Sequence, residues 1–281
     1  MFYIRENNDL KWYEKAFNLL KLNDNEIILP IEKNMNENQI RKISMKCVKQ
    51  LKKNSNSKKI VLSKNLHKSK EFENILKSNR FEIVDGRWLF ELLTIDVLKY
   101  IVKKENFDLN KIYVSFLVND LTEIRLENIK LLSTMCKNFS VVTNHIEKFK
   151  KISNNLLNTE GIVLLASNNK RKSLSKSQII INTDFSSELL NKYYVFEKSI
   201  IVNLDKTTDI KKKRFEGIII SDYEIDLRDD KKQDFMCNNF YLINELYESQ
   251  IYKKETFRDL RNKLKIDNVN IHNLYSKNSI I

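Results

Sequence analysis

Four short polar clusters close apolar runs in this chain, and they carry the residue types that could bind a ligand. Asn119 and Asp120 follow IYVSFLV. Thr143, Asn144 and His145 follow FSVV, with Lys148 one turn beyond. Asn182, Thr183 and Asp184 follow QIII, and Asn203 and Asp205 follow SIIV. Arg171 and Lys172 lie in a basic loop, NNKRKSLSKS, at 168–177. Amides, hydroxyls, carboxylates and cations at such places can fix the polar parts of a nucleotide or a small anionic metabolite, because open α/β sheets hold ligands outside the carboxyl ends of their strands. The same residue types also cap loops and form Asx-turns. Both readings stand at this point.

Other chemistry is less well supplied. Tyr100 and Lys104 are four apart, which puts them on one face of a helix. Such a pair serves as acid and base in some dehydrogenases, but in a chain so rich in Lys and Tyr the spacing recurs by chance. Cys47, Cys136 and Cys237 are far apart, form no CxxC pair and are odd in number, as expected of reduced, buried thiols in a cytosolic protein. His67 and His272 have no metal-ligand company in sequence, so no zinc site is expected. No P-loop is present. In Asp85-Gly86-Arg87-Trp88, the glycine suits a strand-to-helix turn with Asp85 as a cap.

The elements that must position these residues alternate along the chain. FYIR (2–5), IILPI (27–31), KIVLS (59–63) and FEIVD (81–85) read as strands. Between them come a helix from an Asp9 cap to Leu22, a helix over 37–53 with Ile40, Ile43, Cys47, Val48 and Leu51 at helical spacing, and the helix KEFENILKSN. A long helix is expected from Trp88 to Lys104. From 112 onward the alternation is cleaner, with strands at 112–118, FSVVTN, GIVLLAS, 178–185, 199–204 and 215–221. Runs such as IIIN and IIVNL are apolar on both faces, as central parallel strands are. After Asp229 the pattern turns helical, and the last residues, NLYSKNSII, are expected to fray. The expected organisation is a smaller α/β domain at 1–86, a linking helix at 87–110, a second α/β domain at 111–228 and a C-terminal helical segment at 229–281.

Bulk properties narrow the function classes. With 42% hydrophobic residues over 281 positions, the chain can bury a sizeable core. No apolar run reaches the roughly 18 residues of a spanning helix, and MFYIRENNDLKWY does not read as a signal peptide. A cytoplasmic protein with no membrane role is expected. The net charge of +13 attracts phosphate, whether in nucleotides or in nucleic acid. However, lysines outnumber arginines by about four to one. Nucleic-acid readers more often concentrate Arg, whose planar fork matches phosphate and guanine. A basic nucleic-acid- or protein-binding module without enzymatic activity is therefore kept as the alternative reading.

The order of signals over 111–227, about 115 residues, resembles the cofactor domain of shikimate dehydrogenases and glutamyl-tRNA reductases. SVVTNHIEKFKK is similar to that family's second strand, polar turn and Lys-rich helix. SQIIINTD is similar to its fourth strand, and SIIVNLDKTTDIKKKRFEGIIISDYEIDL to its fifth strand and the connection beyond it. The resemblance implies an α/β fold with a mostly parallel sheet, in which a Rossmann-like second domain is preceded by a smaller α/β domain and followed by C-terminal helices. It also implies an NAD or NADP cofactor and a dehydrogenase-like or inactive nucleotide-binding role. Thr143, Asn144 and Lys148 would then stand where the adenosine ribose is read, with Arg171 and Lys172 adding charge for a 2′-phosphate. Asn119, Asn182, Thr183 and Asn203 would line the same edge of the sheet.

The chain departs from the family at one turn. Val118-Asn119-Asp120-Leu121-Thr122 stands where the family has its glycine turn. Glycines there let the backbone approach a pyrophosphate at a helix N-terminus. Here side chains crowd that approach, and Asp120 repels phosphate. Asp120 reads instead as a helix N-cap, with Glu123 completing a capping box.

Overall fold

A computed structural model describes residues 1–7, 11–32, 35–54, 57–205, 208–211, 214–236, 239–252, 255–276 and 280. Asp9, Cys237, Lys212 and Lys213 lie outside them. Backbone contacts divide the chain into two units, one of 1–86 with 228–254, the other of 87–227 with 255–281.

The first unit begins with β1 (Phe2–Glu6), α1 (Trp12–Phe17), β2 (Lys21–Asn23), β3 (Glu26–Leu29), α2 (Glu37–Asn54), β4 (Lys59–Leu62), α3 (Lys70–Ser78) and β5 (Glu82–Val84). Its sheet runs β2-β3-β1-β4-β5, parallel except for β2. The helix expected from Asp9 to Leu22 is shorter. Asn18 takes φ 48°, the left-handed conformation that ends helices, and the chain then turns into β2. The apolar positions read on α2 do face inward, since Ile43, Cys47, Val48 and Leu51 are buried against Ile4, Ile27, Ile60 and Leu62.

In the second unit come α4 (Arg87–Leu92), α5 (Thr94–Lys104), β6 (Tyr113–Leu117), α6 (Glu123–Met135), β7 (Asn138–Val142), α7 (Ile146–Glu160), β8 (Ala166–Ser167) and α8 (Lys170–Leu174). They are followed by β9 (Ile179–Asn182), α9 (Ser187–Asn191), β10 (Ile200–Asn203) and β11 (Ile218–Asp226). The chain then returns to the first unit as α10 (Asp229–Met236) and α11 (Ile243–Ile251), and ends in the second as α12 (Phe257–Ile266) and β12 (Asn270–Ser276).

The helix expected from Trp88 to Lys104 is broken at Leu93. The Thr94 hydroxyl bonds back to the Glu91 carbonyl at 2.7 Å there, a local alternative to the helical ladder. Of the expected strand GIVLLAS only β8 is assigned to the sheet, although Leu165 still accepts from the Val141 amide. Gly161, with φ 67°, closes α7, and its amide and that of Ile162 satisfy carbonyls of the last turn. The segment expected to be helical after 229 ends instead in a strand, β12, paired antiparallel with β11, and it takes in residues 273–276 of the tail expected to fray.

The seven-stranded sheet runs β12-β11-β10-β9-β6-β7-β8, and every pair but β11–β12 is parallel. Counted from β6 as the first strand, this is the order 3-2-1-4-5-6 of the doubly wound Rossmann fold, with one added antiparallel edge. The central strands β9 and β10 are buried at every position, as both-face apolar runs require.

Candidate functional site

In an open sheet of this order the chain reverses direction between its first and fourth strands, and the crevice beyond their carboxyl ends is the expected binding place. In the second unit these strands are β6 and β9. The carboxylate of Asp184, just past β9, fills the crevice. It accepts the backbone amides of Asn119 (2.9 Å to each oxygen) and Asp120 (2.9 Å), and the Asn119 side-chain amide at 3.1 Å. Arg125 Nη1 lies 3.3 Å from the same carboxylate. Two strand-to-helix amides, a side-chain amide and a guanidinium thus converge on one anion. That is the donor set by which backbone turns hold phosphate, and here the chain supplies the anion itself.

A second layer fixes the arrangement. Arg125 Nε pairs with Glu91 at 3.2 Å, and its Nη1 also donates to the Asp120 carbonyl at 2.9 Å. Thr122 donates to the other Glu91 oxygen at 2.9 Å. Thr122, not Asp120, is the cap of α6, because its hydroxyl accepts the Arg125 amide at 3.2 Å. The capping box read at Asp120 and Glu123 is therefore not formed. Thr122 is a capping residue type two positions on, and it adopts the extended backbone that a cap needs.

The other residues singled out from sequence fall into three places. Asn119 Oδ1 accepts the Asn144 amide at 2.9 Å and so ties the β6 turn to the β7 turn. Beside this tie, Asp120, Asn144, His145, Ile146, Glu147 and Lys148 line a pocket of about 470 Å3. A different group lies inside the sheet edge. Asn182 Nδ2 donates to Asn203 Oδ1 (3.0 Å), Thr208 Oγ1 (3.1 Å) and the Phe185 carbonyl (2.9 Å), and all of these residues are buried. Thr183 is fully buried and gives its hydroxyl to the Leu117 carbonyl at 2.9 Å, and Thr143 accepts the His145 amide at 3.0 Å. Arg171 and Lys172 sit on α8, outside the pocket that holds Asn144 and Lys148. Tyr100 donates to the His272 carbonyl at 3.2 Å.

The first unit has its own reversal, between β1 and β4, in the order of a flavodoxin-like sheet. A carboxylate fills it too. Glu6, at the end of β1, accepts the Ser63 hydroxyl and, at 2.6 Å, the Asn65 amide. Sequence reading misses this pair, and it misses the partners of His67. Nδ1 of His67 meets Glu73 and Nε2 meets Glu245, each at 3.0 Å. Burial alone lowers the imidazole pKa, but the hydrogen bonds and charges of Glu245 and then Glu73 outweigh it and raise it to about 8. Cys47 and Cys136 are buried free thiols, pushed by burial up to about 12 and about 11, which keeps them out of nucleophilic chemistry near neutral pH. Among the described residues no cluster of His, Cys, Asp and Glu could hold a metal ion, and no helix is long and apolar enough to cross a membrane.

No protein-family model matches the chain, and no curated protein matches it either. Aspartate transcarbamoylase from Trypanosoma cruzi, solved with aspartate and phosphate, is 12% identical over 75% of this chain and 73% of its own, with a TM-score of 0.27. Glutamate dehydrogenase from Thermus thermophilus, in its leucine-bound form, is 7% identical over 94% and 72%, with a TM-score of 0.35. Likenesses of this size carry no functional argument. The fold assignment rests on strand order and direction.

Proposed function

We propose that the second unit is a Rossmann-type module that binds a small metabolite, in the cytoplasm, without holding NAD or NADP by its pyrophosphate. One observation carries this reading. The Asp184 carboxylate takes up the amides of Asn119 and Asp120 and faces Arg125, where a dinucleotide would place its diphosphate. A bound dinucleotide must displace that carboxylate or share the site with a like charge. The ligand instead enters the pocket of Asp120, Asn144, His145 and Lys148. Its mixed acid, base and amide lining suits an uncharged hydroxylated molecule such as a nucleoside.

The test is a thermal-shift titration with NAD, NADH, NADP, NADPH and adenosine at fixed ionic strength. A ligand at 100 times its dissociation constant stabilises by about 2.7 kcal/mol. Adenosine is expected to stabilise the wild-type protein and the dinucleotides to add nothing beyond it. A larger shift with any dinucleotide than with adenosine would overturn the proposal and restore the cofactor-binding reading.

One observation favours a second reading for the first unit. Arg41, Lys42, Lys46 and Lys49 on α2, with Asn18 and Met45, line an open groove of about 700 Å3. A nucleic-acid strand or an acidic protein segment fits such a groove by charge. Binding to either should weaken steeply as salt rises.

A further inference from the structure

A second cavity lies on one face of the seven-stranded sheet, at the amino-terminal halves of β6 and β7. It is therefore at the opposite end of those strands from the Asp184 crevice. It encloses about 330 Å3, within the range of small-molecule pockets. Strand register explains its floor. Ser115 and Ser140 are direct partners across β6 and β7. Two residues further along each strand, on the same face, Leu117 and Val142 enter the apolar core. The face thus changes from aliphatic to hydroxyl within one strand repeat, and the five-residue helix α8, the turn after it and Leu165–Ser167 at β8 border the change.

The hydroxyls form a directed chain. Ser177 donates to the Ser173 carbonyl at 2.9 Å, which uses its one proton. The 2.7 Å contact between Ser115 and Ser177 therefore takes the Ser115 proton, and the 3.2 Å contact between Ser140 and Ser115 takes that of Ser140. Ser115 and Ser177 are each 1% exposed and consumed by the chain. Ser140 stands at its open end, lines the cavity, and keeps oxygen lone pairs that no described donor fills. Lys137, Lys172 and Lys176 also line the cavity, and none of its described lining residues carries a carboxylate. Tyr113, 44% exposed, offers a ring 5.9 Å from the Lys176 ammonium.

We propose that this cavity binds a small hydroxylated phosphomonoester. The phosphate would sit among Lys137, Lys172 and Lys176, and a ligand hydroxyl would donate to Ser140. Neither part alone satisfies the site: inorganic phosphate leaves the Ser140 oxygen without a donor from the ligand's hydroxyl, and a free polyol leaves three cations without an anion.

The experiment is acetylation footprinting of the full chain by mass spectrometry, with ribose 5-phosphate as probe and ribose and inorganic phosphate as separate arms at matched ionic strength. Ribose 5-phosphate is expected to slow acetylation of Lys137, Lys172 and Lys176 at least threefold while Lys148, in the other pocket, reacts unchanged. Ribose is expected to protect none of them and phosphate to protect more weakly. The double variant K172E/K176E, altered only at exposed positions, should lose the thermal shift produced by ribose 5-phosphate, as should S140L, which replaces the accepting hydroxyl with an apolar side chain in the cavity. Equal protection of Lys148, no protection, or a shift that survives in both variants would overturn the proposal. Protection of Lys148 alone would instead speak to the pocket at the β6 and β7 turns, so the two sites are told apart.

Discussion

Each unit plugs its own switch point with a carboxylate, but the two plugs are held by different donors. In the second unit Asp184 is met by two backbone amides, a side-chain amide and the Arg125 guanidinium. In the first, Glu6 is 7% exposed and is met by a serine hydroxyl and an asparagine amide, with no cation among the described residues. The first arrangement is a ready anion site whose anion is covalently attached. The second is a buried acid satisfied by neutral dipoles, which offset desolvation less fully than an ion pair does. A switch point can therefore look alike in topology and differ in what it would accept once its plug is removed.

The largest expected effect comes from removing the second unit's plug. Asp184→Ala strands the amides of Asn119 and Asp120 and takes from Arg125 one of its two carboxylates, and should cost roughly 3 kcal/mol, the upper range for charged hydrogen bonds. Tens of millimolar phosphate should restore part of that loss, because the vacated donors suit a tetrahedral anion. Urea denaturation with and without phosphate checks both. A variant as stable as wild type, or one indifferent to phosphate beyond the wild-type response, would show that Asp184 is an ordinary turn residue. The equivalent change in the first unit, Glu6→Ala, should gain no phosphate response, since among the described residues no cation pairs with the Glu6 carboxylate.

A pH effect is expected next. His67 bridges Glu73 and Glu245 within the first unit, and its folded pKa of about 8 exceeds the ordinary 6.5. A raised pKa means that the folded state binds the proton more tightly. The stabilisation is complete below about pH 6.5 and is lost as pH rises through about 8. A shift of this size corresponds to about 2 kcal/mol. Wild-type stability should fall across that window, and His67→Gln should flatten the profile there. An unchanged slope in His67→Gln would remove His67 as the cause.

Much of the fold is legible in the sequence because it is written in continuous apolar runs. IIIN and IIVN read as central parallel strands and are buried throughout. Helix spacing on α2 likewise matches the observed helix. The parts that escape depend on distant pairing. β2 and β12 are edge strands defined by antiparallel partners, and their polar residues give no period to read. At the site, Asn119 and Asp184 are recognisable as polar strand ends. That Asp184 accepts the Asn119 amide depends on residues 65 apart, a relation no local pattern encodes. His67 reads as isolated because Glu245, one of its two partners, lies 178 residues away.

The smallest effect is the sharpest test of the contrast between plugs. Neutral isosteres, Glu6→Gln and Asp184→Asn, keep each side chain's shape while removing its charge. In the second unit the change leaves Glu91 as the one carboxylate paired with Arg125 among the described residues, beside the Asp120 carbonyl, and puts an amide where the turn's donors need an acceptor. In the first unit the Ser63 hydroxyl can turn to the remaining carbonyl oxygen, and removal of a buried charge lowers the desolvation cost. Glu6→Gln should therefore change stability by under about 1 kcal/mol, in either direction, against about 2 kcal/mol lost for Asp184→Asn. Chemical denaturation of both variants at one pH gives the comparison directly. Equal losses would mean that the two carboxylates are held in the same way despite their different partners. A larger loss at Glu6 would make that carboxylate, not Asp184, the one whose charge the fold depends on.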